Sequence, residues 1–120
     1  MAENIIKTKT FSFALRIVKL SQFLNQEKKE YVLSKQLLRS GTGIGALVRE
    51  AEQAESKLDF IHKLAIAQKE ANESDYWLEL LFQSDYLSQN QFQSLKTDIV
   101  EINKILASII ISTKQKIGKK

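Results

Sequence analysis

The chain has 120 residues with no cysteine, no proline and four glycines, and its 18 Lys/Arg against 14 Asp/Glu give a formal charge of +4. The missing cysteines exclude disulfides and thiolate metal sites. The shortage of turn-forming residues argues against many short strands and for a few long helices, and the length fits a single domain over residues 1–120.

The opening stretch, Met1 to Phe23, is interrupted by Arg16 and Lys19 and does not read as a signal peptide. The longest apolar run, Ile105 to Ile111, is too short to span a bilayer. The expected setting is therefore soluble and cytoplasmic, without a membrane partner. Charge is distributed unevenly. Residues 1–40 carry eight Lys/Arg and three Asp/Glu, residues 41–80 four and eight, and residues 81–120 six and three. This pattern fits a polyanionic partner, or basic and acidic helices that complement each other within one bundle or assembly.

The first helix is expected over about residues 9–26. Phe13, Ile17, Leu20 and Leu24 form one face with Ala14 and Val18 beside it, and Thr8 or Thr10 stands where a cap would. The polar string Asn25 to Glu30 is the expected connection.

The second helix is expected over about residues 32–53. Leu37, Gly41, Ile44, Val48 and Ala51 form a stripe that runs in phase through Gly41-Thr42-Gly43-Ile44-Gly45. A phosphate loop would need Gly-Lys-Ser/Thr where Ala46-Leu47 follow, and a dinucleotide fingerprint would need a preceding strand. The glycines therefore read as part of a continuous helix. Each costs about 0.8–1 kcal/mol against alanine, and close helix packing at Gly41 and Gly45, beside Ile44 and Val48, would offset that cost.

The third helix is expected over about residues 57–86, with Ser56 as its cap and Asp59 at the positive end of its dipole. Leu64, Ala67, Ala71, Ser74, Leu78 and Leu81 make its stripe. Trp77, the one tryptophan, reads as a packing anchor. Tyr76-Trp77 could also stack bases, but its neighbours Leu80 and Leu81 favour core or interface.

The fourth helix is expected over about residues 89–115 from a Ser88-x-x-Gln91 capping box, with the stripe Phe92, Leu95, Ile99, Ile102, Leu106, Ile109 and Thr113. Ile105 to Ile111 is apolar nearly all round, which a helix with one buried face should not be. Ile105, Ile109, Ile110 and Ile111 are the expected subunit interface. The basic tail, residues 114–120, is expected to fray. Four helices with short connections imply an all-α, antiparallel up-down-up-down four-helix bundle.

No catalytic, cofactor or metal site is expected. Asp59-Phe60-Ile61-His62 resembles half of a carboxylate–histidine metal motif, but a di-iron bundle needs two such motifs and the chain has one histidine. Glu50, Glu70, Glu73 and Glu79 could be paired catalytic acids, yet read better as a solvated face or as partners for Arg and Lys, with Arg39 and Arg49 the obvious ones. With one His and no Cys, no nucleophilic triad assembles around them.

The run Gln36-Leu37-Leu38-Arg39-Ser40-Gly41-Thr42-Gly43-Ile44-Gly45-Ala46, then Glu50-Ala51, Ser56, Asp59-Phe60, Lys63-Leu64, Ile66-Ala67, Lys69-Glu70-Ala71, Glu73-Ser74 and Tyr76-Trp77-Leu78 carry a specific resemblance. The chain resembles the four-helix-bundle proteins encoded in intervening sequences of bacterial 23S ribosomal RNA genes. Their pattern is QLLRS-x-x-S-[IV]-G-A-N-[IV]-x-E-[AG], then D-F-x-x-K-L-x-I-A-x-K-E-A-x-E-[ST]-x-Y-W-L. Gly43 replaces the family's usual Ser and Leu47 its Asn, so no polar role of that Asn carries over. The resemblance implies an antiparallel bundle assembling into a homopentamer. It also implies kinship with the accessory variability determinant proteins of diversity-generating retroelements, basic pentamers that bind a reverse transcriptase and nucleic acid.

Two functions follow as expectations. One is a non-catalytic homo-oligomer that contacts RNA, ribosomal RNA by resemblance, or an RNA-bound enzyme, through Arg16, Lys19, Lys28, Lys29, Lys35 and Arg39. The other is a protein–protein scaffold without direct nucleic-acid contact.

Overall fold

A computed structural model describes the backbone of residues 2–118 and the side chains of residues 4–118. Every regular element among them is a helix: α1 (Ala2–Gln26), α2 (Leu33–Ala51), α3 (Lys57–Gln83) and α4 (Gln89–Gly118). Packing joins α1 to α2, α2 to α3, α3 to α4, and α4 back to α1, while the diagonal pairs do not approach. Short connections with only adjacent contacts give the up-down-up-down four-helix bundle, a rod of 54 × 22 × 20 Å.

The core follows the sequence stripes. The stripe residues from Leu37 to Ala51 on α2 and from Leu64 to Leu81 on α3 are all buried, as are Leu95, Ile99, Ile102, Leu106 and Ile109 on α4. On α1, Phe13, Ile17, Leu20 and Leu24 are buried, but Val18 faces outward. The helix begins at Ala2, not near residue 9. Ile6 and Thr10 extend the stripe backward, and both are buried. Thr10 is thus a core residue and no cap. Its hydroxyl donates to the Ile6 carbonyl at 2.8 Å, which lets a polar group sit in the core without a lost hydrogen bond.

Two of the helix starts are capped as the sequence indicates. The Ser56 side chain accepts from the Asp59 N–H at 3.0 Å, and the Asp59 carboxylate accepts from the Glu55 N–H at 3.2 Å. At α4 the box is reciprocal: Gln91 N–H donates to Ser88 Oγ at 3.1 Å and Ser88 N–H to the Gln91 side chain at 2.8 Å.

The start of α2 works differently. Its N-cap, Val32, has no capping side chain. The buried Glu30 carboxylate accepts instead from the backbone N–H groups of Val32, Leu33 and Ser34 at 3.0, 2.9 and 2.7 Å. Just before it, Lys29 takes a left-handed conformation with φ 55°, and Glu30 N–H returns to the Leu24 carbonyl at 2.9 Å. At the other end of the chain, α4 is helical to Gly118 and so takes in residues 114–118 of the basic tail. Lys119 and Lys120 lie outside the described residues.

Candidate functional site

The glycine run is helical throughout, and none of its glycines has a positive φ. The three face different neighbours. A Cβ at Gly41 would meet the Ile17 side chain of α1 at 2.9–3.0 Å, closer than real contacts allow. At Gly45 the nearest atoms are the Thr10 carbonyl and hydroxyl oxygens at 3.4 Å, and at Gly43 the Glu70 carboxylate of α3 at 3.5 Å. Gly41 and Gly45 thus lie in the α1–α2 contact, with Ile44 and Val48 buried beside them. Gly43 looks the other way, toward α3.

The α2–α3 contact joins the two halves of the sequence pattern. Arg39 on α2 pairs with Glu70 at 3.2 Å and with Glu73, both on α3. Glu73 also accepts from the Trp77 indole N–H at 3.3 Å. Next to that pair in sequence on both helices, the buried hydroxyls of Ser40 and Ser74 share a hydrogen bond of 2.9 Å. The hydrogen bond from Arg39 holds the Glu73 carboxyl below its ordinary range. Partial burial opposes that shift, and the Trp77 N–H and the Arg39 charge reinforce it. The same hydrogen bond raises Arg39 above its own ordinary value. Trp77 is half-buried and meets Tyr76 edge-on, with centroids 5.0 Å apart.

The remaining acids are also bound into the bundle in part. Glu50 pairs with Lys63 at 3.2 Å, Asp75 with Lys96 at 2.7 Å and Glu52 with Lys7 at 3.2 Å. Arg49 takes no carboxylate among the described residues; its guanidinium lies 5.1 Å from the Phe11 ring centroid. His62 is exposed, and no group of three His, Cys, Asp or Glu among the described residues is arranged to hold a metal. A groove of about 220 Å³ between α1 and α4, lined by Thr8, Ser12 and Ile102 among others, is bridged by Lys9 and Glu101 at 2.7 Å.

The six basic candidates separate into two sets. Arg16 donates to Asp98 at 2.5 Å and to Ser94 at 2.8 Å on α4, and Arg39 is held as above. Lys19, Lys28, Lys29 and Lys35 are exposed, and none makes an ion pair among the described residues. Lys28, Lys29 and Lys35 cluster about the α1–α2 turn with the exposed Glu27, and the outward apolar side chains there are Tyr31 and Val32. The sequence reading passed over those two. Their only signal was an aromatic and a β-branched residue where a small polar cap is preferred.

The apolar circumference of α4 has two destinations. Ile109 and Ile110 are buried by the chain's own core, Ile105 is half-buried, and Ile111 is exposed. Of the four expected interface residues, only Ile105 and Ile111 leave surface for a second subunit. A further apolar face lies on α1, where Phe11, Leu15 and Val18 recur at i, i+4 and i+7 and point outward.

The family description 23S rRNA-intervening sequence protein matches residues 2–108. The chain belongs to this family. A crystal structure of a protein of unknown function from the S23 ribosomal protein family of Bacteroides thetaiotaomicron is similar to this intervening-sequence protein at 58% identity. It superposes with a TM-score of 0.91 over 92% of this chain and 98% of that one. No protein of curated function matches. The residues that carry the family pattern from Gln36 to Ala51 and from Asp59 to Leu78 are thus the two sides of one helix–helix contact.

Proposed function

We propose that this intervening-sequence protein is a non-catalytic, cytoplasmic RNA-binding protein that acts as a homo-oligomer. The observation that carries the reading is the set of exposed, carboxylate-free lysines Lys19, Lys28, Lys29 and Lys35. Internal complementarity accounts for Arg16, Arg39, Lys7, Lys9, Lys63 and Lys96, each of which has an acidic partner on another helix or, for Lys7, at the C-cap residue of α2. It does not account for those four, nor for Lys57, Lys69, Lys104, Lys114 and Lys116, which are likewise exposed and without an ion pair among the described residues. Lys28, Lys29 and Lys35 are set apart by falling together at one turn. The family name points to ribosomal RNA as the class of target.

Self-association would multiply a weak lysine patch into an effective one. Ile111, Ile105 and the outer face of α1 offer apolar surface for it, and the resemblance points to five copies. The test is retention of bacterial RNA by purified protein across a salt series. Binding that is present at low salt and falls steeply as salt rises supports the reading; no retention at low salt overturns it. The outward Phe11, Leu15 and Val18 also favour a scaffold reading, in which a protein partner is recovered from nuclease-treated lysate and RNA is not.

A further inference from the structure

We propose that the α1–α2 turn is a single-stranded RNA contact, in which a base stacks on Tyr31 while neighbouring phosphates meet Lys28, Lys29 and Lys35. The proposal rests on the RNA reading above and gives it a place and a ligand form.

The turn does not need these side chains for its own construction. Glu30 caps α2 through three backbone N–H groups, and the left-handed Lys29 reverses the chain. Tyr31 and Val32 take no part in that cap through their side chains and stand 57% and 72% exposed. A residue at Val32 that served only the helix would be Ser, Thr, Asp or Asn. The chain instead presents a phenol ring and an isopropyl group to solvent.

What surrounds the ring decides the ligand. Lys28 and Lys29 precede it and Lys35 follows one helical turn after Val32, all exposed and free of ion pairs among the described residues. The Glu30 charge is occupied by amides, leaving Glu27 as the other carboxylate in the turn. A stacking ring among cations is how proteins hold unpaired bases and their backbone. Tyr76, as exposed as Tyr31, has no free cation beside it: Arg39 is taken up by Glu73, Lys96 by Asp75, and no Lys or Arg stands in the sequence between Lys69 and Lys96. A duplex keeps its bases stacked internally and offers Tyr31 no face, and two apolar side chains are too few to enter a lipid surface firmly.

The test is fluorescence anisotropy of the full chain with labelled oligouridylate, a labelled RNA duplex and anionic phosphatidylserine vesicles. Tyr31→Ala is expected to weaken oligouridylate binding about tenfold, whereas Tyr31→Phe stays within about twofold. Replacing Lys28, Lys29 and Lys35 with Gln should reduce the log–log salt slope by about 2, and the wild-type affinity should fall roughly twentyfold between about 50 and about 200 mM salt. Unchanged circular dichroism in the variants ties these losses to the surface. Oligouridylate binding that survives both sets of substitutions overturns this site while leaving the RNA reading standing. Loss with the lysines but not with Tyr31→Ala overturns the stacking contact. Binding to vesicles alone, or to no nucleic acid at low salt, overturns both the site and the reading beneath it.

Discussion

Replacing Gly41 with alanine sets two known effects against each other at one atom. Alanine in a helix interior is favoured over glycine by about 0.8–1 kcal/mol. The new Cβ, however, would lie 2.9 Å from Ile17 Cγ1 and 3.0 Å from Cγ2. Ile17 is completely buried, and its β-branched side chain has one strongly preferred rotamer in a helix, so neither methyl-bearing branch can swing aside. Relief must come from parting α1 and α2, an overpacking cost of about 1–3 kcal/mol. The cost exceeds the gain, leaving a net loss near 1 kcal/mol and a Tm lower by about 4 °C. Gly43→Ala meets only the Glu70 carboxylate at 3.5 Å, an ordinary contact with a movable group, and is expected to stabilise by about 0.5–1 kcal/mol. Urea unfolding of both variants reads the difference directly. A double-mutant cycle isolates its cause: in an Ile17→Ala background, which removes both Cγ atoms, Gly41→Ala should cease to destabilise. If Gly41→Ala raises stability as much as Gly43→Ala, the close α1–α2 approach is not what holds glycine at this position.

Glu30→Ala removes the acceptor of three N–H groups at the start of α2 and should cost about 1–2 kcal/mol by urea unfolding, with the loss concentrated in early amide exchange of residues 32–34. Ile111→Glu should leave the Tm of the monomer nearly unchanged and lower the mass seen by light scattering, whereas Ile110→Glu, which buries a charge in the chain's own core, should unfold the protein. The depressed Glu73 carboxyl makes a small stabilising contribution that is complete above the ordinary carboxyl value of about 4.3 and is lost as pH falls through its lower folded value. The stability gap between wild type and Glu73→Gln should therefore be present near neutrality and close in acid; a gap that widens in acid contradicts the assignment.

Much of the bundle was legible because its stripes are long and regular. From Leu37 to Ala51 and from Leu64 to Leu81 every stripe position is buried, and the Ser88–Gln91 box begins α4 where its letters indicate. The start of α1 was misread because Thr10 satisfies the usual preference for a cap while serving as a core residue, with its hydroxyl turned back to the Ile6 carbonyl. The cap of α2 was hidden for the converse reason: Glu30 reaches forward to N–H groups two to four residues ahead, a geometry that depends on the left-handed Lys29. Ile110 was assigned to a subunit contact because periodicity alone cannot tell which flank of an all-apolar segment its own bundle covers. The basic candidates were only half resolved. Charge counts do not reveal that Arg16 and Arg39 meet Asp98 and Glu73 across helix contacts, and this pairing separates structural cations from free ones.

Ultraviolet crosslinking in living cells, followed by recovery of the protein and identification of what is joined to it, tests the RNA assignment most directly. RNA attached above the level of unirradiated cells, through peptides that include Lys19 to Lys35, is the predicted result. Protein recovered in quantity with no RNA above that level would contradict the assignment and return this bundle to the scaffold reading.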